Sequence, residues 1–344
     1  MCIRDRSDTD FAFVKEGSIL ARRKDGKFIK VDSADNLFHL GGKDIVYKDF
    51  YEAKGGAGGS LDDCQSSLKN TKSVTIDHVN ISKQLNCYCL NVCGLRNRLQ
   101  YNDFIDELCK NDIFILCETK TDDVDLEYIQ SEFKDKNFDI HLFNRTKFSN
   151  RRSGGICVGL ASHIKDDITF INTDCKYVQW FKINANVFGF EKDVIVGAVY
   201  IPPRGSLYTN ITSFDEIQQE LLDINVDNSY HTCILGDMNS HTGNLDDFIL
   251  IDQQILNETD VDDTIVTILD MEGQLNKFDI TKKRKSKCQV KVDQYGKKLL
   301  ELCKNNGLLI ANGRIGNDKD TGEVTCNEKS VVDYVICDPE LLSN

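Results

Sequence analysis

From Leu85 onward the chain alternates short apolar runs with segments of helical periodicity, and this alternation restricts the fold more than any other feature. Residues 85–92 and 112–118 read as strands. The intervening 101–110, with Phe104, Ile105 and Leu108 at helical spacing, reads as a crossover helix. Such a unit makes the two strands parallel, so their C-terminal ends, carrying Asn91 and Glu118, open on one edge. Further strands are expected at 155–160, 178–183, 194–200, 232–237, 308–311 and 331–337. Helices are expected at 213–224 and 295–305, the second followed by Gly307 as a C-cap. The segment 85–344 is therefore expected to be one α/β domain.

Residues 1–84 differ in character. They are polar, carry only short apolar patches such as Phe11-Ala12-Phe13-Val14, and contain Gly55-Gly56-Ala57-Gly58-Gly59-Ser60, a flexible-linker composition. They read as a weakly structured extension. A second weakly patterned stretch runs from Asn244 to the basic run 282–287, and a segment of that length inside a domain is usually functional or disordered.

Charge and cysteine usage narrow the class. A net charge of −13 argues against a protein that coats polyanions through many lysine and arginine contacts, though not against an enzyme that meets nucleic acid locally. Fourteen cysteines include Cys89, Cys117, Cys157, Cys233 and Cys337 inside apolar runs, where free thiols behave as small hydrophobes in a reducing compartment. No secretory segment and no bilayer-length apolar stretch is visible, so an intracellular location, nuclear or cytoplasmic, without a membrane partner is expected.

The chemistry sits at strand ends. Asp237 and Asn239 follow the apolar run Cys233-Ile234-Leu235 and would share a sheet face if the extended conformation continued through them. A turn leaving the core would use the same residue types. However, Asp333 interrupts a second apolar run and Glu118 ends a third, and a carboxylate in or beside a core strand is costly unless paired, hydrogen-bonded or metal-bound. Oxygen donors of this kind suit Mg²⁺, with Mn²⁺ as a substitute, and no small organic cofactor is called for. Cys87, Cys89 and Cys93 lack zinc spacing, and strand alternation accounts for the first two. His231 and His241 read as surface residues, and Trp180 and Phe181 as core rather than base-stacking platforms.

The ordered set Leu90-Asn91-Val92-Cys93-Gly94-Leu95, Cys117-Glu118-Thr119-Lys120, Ser153-Gly154-Gly155-Ile156, Val199-Tyr200-Ile201-Pro202-Pro203, Gly236-Asp237-Met238-Asn239-Ser240-His241-Thr242-Gly243, Asn312-Gly313-Arg314 and Ser330-Val331-Val332-Asp333-Tyr334 resembles the endonuclease/exonuclease/phosphatase (DNase I-like) superfamily. Within it, the set is most similar to the endonuclease domain of non-LTR retrotransposons. The resemblance implies a four-layered α/β sandwich, two packed mixed sheets flanked by helices, and Mg²⁺-dependent cleavage of a DNA phosphodiester. It implies that Glu118 ligates the metal with Asn91 beside it, and that Asp237 orients or deprotonates the attacking water. Asn239 would contact the scissile phosphate, Tyr200 would support the phosphate or leaving oxygen, and Asp333 would complete the site. Arg152, Asn312 and Thr325 are expected to contact substrate. Family members carry a Ser-Asp-His element after a further strand, whereas here no histidine follows His241, so the final strand is expected to be missing and the domain incomplete.

The run 282–287, with Arg145, Lys147, Arg151 and Arg152, offers phosphate contacts along DNA; a solvated loop or a nuclear-localisation patch suits the run equally. Two other readings stay open: a phosphatase or phosphodiesterase of the same fold acting on phosphoinositide or lipid head groups, and a non-catalytic remnant that binds nucleic acid or protein.

Overall fold

The computed structural model describes residues 9–15, 18–23, 28–31, 37–40, 85–145, 152–250 and 270–343. Its strands, in chain order, are β1 (Thr9–Lys15), β2 (Ser18–Arg23), β3 (Phe28–Val31), β4 (Leu37–Leu40), β5 (Leu85–Asn91), β6 (Ile113–Cys117), β7 (Phe138–Phe143), β8 (Ile156–Ala161), β9 (Ile168–Ile171), β10 (Val178–Ile183), β11 (Val194–Tyr200), β12 (His231–Asp237), β13 (Leu309–Ile310) and β14 (Asp333–Cys337). β1, β2 and β3 form a small antiparallel sheet within the extension expected to be weakly structured. The Gly-rich linker at 55–60 lies outside the described residues.

Two mixed sheets carry the domain, a five-stranded one in the order β4-β5-β6-β8-β7 and a six-stranded one in the order β13-β14-β12-β11-β10-β9. Each contains one parallel pair, β5 with β6 and β11 with β12, and the remaining pairings are antiparallel. Alternation along the strands sets the layers. Cys87, Cys89, Ile113, Ile115, Cys117, Val158, Val194, Val196, Ala198, Tyr200, Cys233 and Leu235 point inward and make the layer between the sheets. Their neighbours Tyr88, Leu90, Phe114 and Leu116 point outward onto the helices Asn102–Leu108 and Leu126–Phe133. On the opposite side Trp180, Ile195, Val199, Ile234 and Ile336 meet the helices Ser213–Ile224 and Gln294–Asn305. The result is the expected four-layered DNase I-like α/β sandwich, with Trp180 and Phe181 both fully buried in core layers.

The inward cysteines are buried free thiols; burial pushes the Cys87 thiol up, and does the same to Cys157 on the outward, helix-facing side. Cys233 and Cys337 face each other across the β12–β14 register with Sγ atoms 3.6 Å apart. Among the described residues no helix is long and apolar enough to cross a membrane.

Several elements depart from expectation, among them β1–β4 within residues 1–84, of which β4 pairs with β5. β7 and β9 were not anticipated: β7 is an edge strand, mostly half-buried, and β9 has only four residues. The helices Leu126–Phe133 and Met271–Lys277 are short, the first burying only Ile129 and Phe133. The second falls within the stretch expected to be weakly patterned, of which 251–269 lie outside the described residues.

Candidate active site

The parallel pairs decide where polar residues can gather. β5 and β6 run side by side and end together, with Asn91 in register with Cys117 and Glu118 next in the chain. β11 and β12 likewise end together, with Tyr200 in register with Asp237. β14 runs antiparallel to β12, so Asp333 at its start lies opposite Asp237 at the end of β12. Five of the anticipated residues, Asn91, Glu118, Tyr200, Asp237 and Asp333, thus come to one edge of the two sheets.

Asp237 is the centre of this cluster. It is 1% exposed, and Asn91 Nδ2 donates to its Oδ2 at 2.7 Å across the inter-sheet layer. Asn91 is itself held by the Cys93 amide, which donates to its Oδ1 at 3.0 Å. Gly236 is required just before Asp237: with φ 144° it lies where a Cβ would come within 1.9 Å of the Val199 carbonyl oxygen. The extended conformation does not continue to Asn239. That residue has φ 44°, and its amide turns back to donate to Asp237 Oδ1 at 3.0 Å, a side-chain-capped turn rather than a shared strand face. Its side chain donates through Nδ2 to the Ile201 carbonyl at 2.7 Å, which leaves one amide hydrogen free of that bond.

Glu118 sits in the left-handed region at φ 57°, and Lys120 Nζ lies 3.2 Å from its Oε1. Burial opposes the charge on Lys120, but Glu118 and the Cys93 sulfur together hold its pKa above the ordinary lysine value. Lys120 belongs to the Cys117-Glu118-Thr119-Lys120 motif, yet nothing in the local pattern signals that it pairs with the glutamate two residues earlier. The same loop is tied down by hydroxyl contacts: Thr119 and Thr121 lie 2.8 Å apart, Thr121 donates to Asn144 Oδ1 at 2.8 Å, and Asn144 Nδ2 donates to Asp123 at 2.8 Å.

Asp333 is 7% exposed, and its Oδ2 is buried with no hydrogen-bond partner among the described residues. Asn312 and Thr325 stand behind it. Thr325 Oγ1 accepts from the Val332 and Asp333 amides at 3.0 and 3.1 Å. Asn312 donates to the Asp333 carbonyl at 3.1 Å and accepts from the Val335 amide at 3.0 Å. Both side chains hold the backbone that carries Asp333. Arg152 lies on another loop, with Nε on Asp122 at 2.6 Å and NH1 3.4 Å from Asp125.

The histidines and the basic run also differ from expectation. His231 is buried rather than superficial, with Nδ1 3.4 Å from Asp338, and that hydrogen bond raises its pKa above the ordinary histidine value. His241 pairs with Asp293 at 3.0 Å, and Asp293 also caps the helix Gln294–Asn305 through the Gly296 amide. Within the basic run, Arg284 is 6% exposed and donates to Thr242 and the Leu245 carbonyl, while Lys282 pairs with Glu272 and Lys287 with Glu323. Lys147 and Arg151 lie outside the described residues.

The edge offers hard oxygen donors, the carboxylates of Glu118, Asp237 and Asp333 and the Asn91 side-chain oxygen, although among the described residues no three acidic, histidine or cysteine side chains are grouped closely enough to hold a metal ion between them. The unpartnered Asp333 oxygen shows that this donor set is not closed on itself. That chemistry fits a divalent cation such as Mg²⁺, provided Lys120 yields Glu118.

Two packed mixed sheets flanked by helices, with carboxylates and amides gathered at the ends of the parallel strands, make the chain an α/β sandwich protein with one polar rim. The chain belongs to the Endonuclease/Exonuclease/phosphatase family, whose model matches residues 85–342. Members of that family typically use a divalent metal. No curated protein matches the chain. Among solved structures, it is similar to the 3'-5' exonuclease NExo from Neisseria meningitidis, at 13% identity over 75% of this chain and 88% of that one, with a TM-score of 0.45. An AP endonuclease from Archaeoglobus fulgidus matches at 13% identity over the same shares, TM-score 0.45. The AP endonuclease LMAP from Leishmania major matches at 12% identity over 75% and 80%, TM-score 0.48.

Proposed function

We propose that the chain is a Mg²⁺-dependent phosphodiesterase that nicks DNA, an endonuclease of the non-LTR retrotransposon kind. The observation that carries this reading is the 2.7 Å hydrogen bond from Asn91 to Asp237, which joins the two sheets at the edge where Glu118, Tyr200, Asn239 and Asp333 also converge. Two donated hydrogen bonds, from Asn91 Nδ2 and the Asn239 amide, fix the Asp237 carboxylate so that it can orient a water and take its proton. The second amide hydrogen of Asn239 is then available to a non-bridging phosphate oxygen, and Tyr200 supports the phosphate or the leaving oxygen from the adjoining strand end. Asp333 completes the site with its open Oδ2. Glu118, with Asn91 beside it, would hold Mg²⁺, which when bound neutralises charge on the phosphate oxygens. Catalysis in such a site is mostly positioning and charge stabilisation, which suits short side chains held by backbone contacts.

One observation favours a second reading, a nucleic-acid-binding remnant without catalysis: Lys120 Nζ already neutralises Glu118 at 3.2 Å. A supercoiled-plasmid assay separates the two. Nicking that requires Mg²⁺, stops in EDTA and falls at least about a hundredfold in Asp237→Ala supports the endonuclease. Duplex binding without nicking supports the remnant, and turnover of a phosphate monoester or lipid head group alone would move the substrate to the family's phosphatase branch.

A further inference from the structure

Arg145 ends the segment after β7 and is 5% exposed. Its guanidinium lies over the Tyr177 ring at 5.7 Å and the Tyr208 ring at 5.5 Å. It also adjoins the candidate active site. A Cβ at Gly154, which has φ 64°, would come within 2.5 Å of Arg145 Cδ and 3.1 Å of Tyr200 Cε1, so the bare glycine is what lets the arginine and the site tyrosine flank the same backbone.

Among the described residues no carboxylate pairs with Arg145, its Nε is buried with no hydrogen-bond partner, and the hydroxyl of Tyr177 in the same cluster is likewise buried and unpartnered. Desolvation pulls the Arg145 pKa below the ordinary arginine value, with only the three tyrosines Tyr177, Tyr200 and Tyr208 opposing it. Aromatic faces offset part of the burial cost of a guanidinium, but they do not replace the in-plane acceptors that its five N–H groups require. An oxyanion with several acceptor oxygens supplies them, and arginine is the side chain whose fork matches phosphate.

We propose that Arg145, with the Tyr177 hydroxyl, binds a second phosphate of the nucleic-acid strand, next to the one handled at Asp237 and Asn239. This rests on the endonuclease reading for the identity of the strand, but not on catalysis. A free phosphate monoester presents the same oxygens, so the test has an arm for each source.

The full chain is titrated against a fluorescein-labelled DNA duplex in EDTA at several salt concentrations, and its thermal midpoint is followed against inorganic phosphate. Arg145→Met should weaken duplex binding about tenfold, as loss of one charge-assisted contact does, and should flatten the slope of log K against log salt by about 0.9. Arg145→Lys should restore the slope and only part of the affinity. A folded Arg145→Met with wild-type affinity and slope would overturn the proposal. So would an Arg145-dependent stabilisation by inorganic phosphate with no effect on duplex binding, because the subsite would then serve a free phosphate. If Arg145→Met does not fold, Tyr177→Phe decides: weaker duplex binding supports the subsite, and unchanged binding refutes it. Arg145-dependent duplex binding by a chain that never nicks would sink the endonuclease while leaving the subsite intact; nicking with Arg145-independent binding would do the reverse.

Discussion

Replacing Asn91 with alanine tests the joint between the two sheets without relying on activity. The substitution removes the 2.7 Å bond to Asp237 Oδ2 and the 3.0 Å bond accepted from the Cys93 amide. A hydrogen bond to a charged group contributes about 1.5–3 kcal/mol and a neutral one about 1 kcal/mol, so the loss should be about 3 kcal/mol. Each kcal/mol moves the midpoint of a domain this size by about 2–4 °C, which makes the expected drop about 6–12 °C. The informative assay is a double-mutant cycle by urea unfolding with Asn91→Ala, Asp237→Ala and the pair. With Asp237 already alanine, the Asn91 amide has no carboxylate to serve, and its removal should cost only the Cys93 contact. The coupling energy should therefore be about 1.5–3 kcal/mol. Costs that add to within about 0.5 kcal/mol would mean that the bond does not join the sheets, and the reasoning that places the site on it would fail.

Three further outcomes follow from other parts of the chain. Gly236→Ala should abolish folding or lower stability by about 3 kcal/mol or more, since the new Cβ meets the Val199 carbonyl at 1.9 Å on a backbone at φ 144°; a soluble variant with an unchanged melting curve would contradict this. Arg314 and Asp247 form a fully buried bidentate pair at 2.7 and 2.8 Å, so Asp247→Leu alone should cost about 3–5 kcal/mol by denaturant unfolding, whereas Asp247→Leu with Arg314→Met should cost clearly less. His231 has its folded pKa raised by Asp338, so this pair adds stability that is fully present below the unfolded histidine value of about 6.5 and is lost as pH rises through the folded value. The melting-temperature gap between the wild type and His231→Asn should therefore shrink from pH 5.5 to pH 8.5, and a gap that widens would reverse the assignment.

The sandwich was legible because apolar runs and strand ends coincide. Val178–Ile183, Val194–Tyr200 and Ser213–Ile224 appear with the bounds that alternation and helical spacing imply. Asp237 could be placed at a strand end because Cys233-Ile234-Leu235 leads straight into it. Asn239 reached the site for a different reason from the one the spacing suggested, since a left-handed backbone rather than continued strand brings its amide to Asp237. What sequence could not show was long-range pairing. Arg284 reads as part of a solvated basic run, but the buried Asp247, 3.9 Å from its Nε, and the hydrogen bonds it donates to Thr242 and the Leu245 carbonyl hold it inside, and none of these is visible as its partner from local pattern. His231 and His241 lacked any local partner for the same reason, Asp338 and Asp293 being distant in sequence. Edge strands such as β7 escape because one side of their alternation is only half-buried.

The topology explains why the site had to form where it does. Antiparallel neighbours end at opposite edges, so in a mostly antiparallel sheet strand-end side chains are scattered between both rims. Each sheet here has one parallel pair, and each pair brings two C-terminal ends to a single edge: Asn91 beside Cys117 and Glu118 in one sheet, Tyr200 beside Asp237 in the other. Packing the sheets face to face then sets those two ends against each other, and the Asn91–Asp237 bond is a direct contact between them, with the Cys117 thiol donating to the Val199 carbonyl beside it. Asp333 enters from the antiparallel strand β14, at its start rather than its end, and so needs separate anchoring, which Asn312 and Thr325 give it through four backbone hydrogen bonds. Asn312→Ala should accordingly lower activity through the position of Asp333 rather than through substrate affinity. In the plasmid assay this means a fall in kcat of about tenfold or more with KM within about twofold of wild type. An effect confined to KM would return Asn312 to the substrate-contacting role first expected of it.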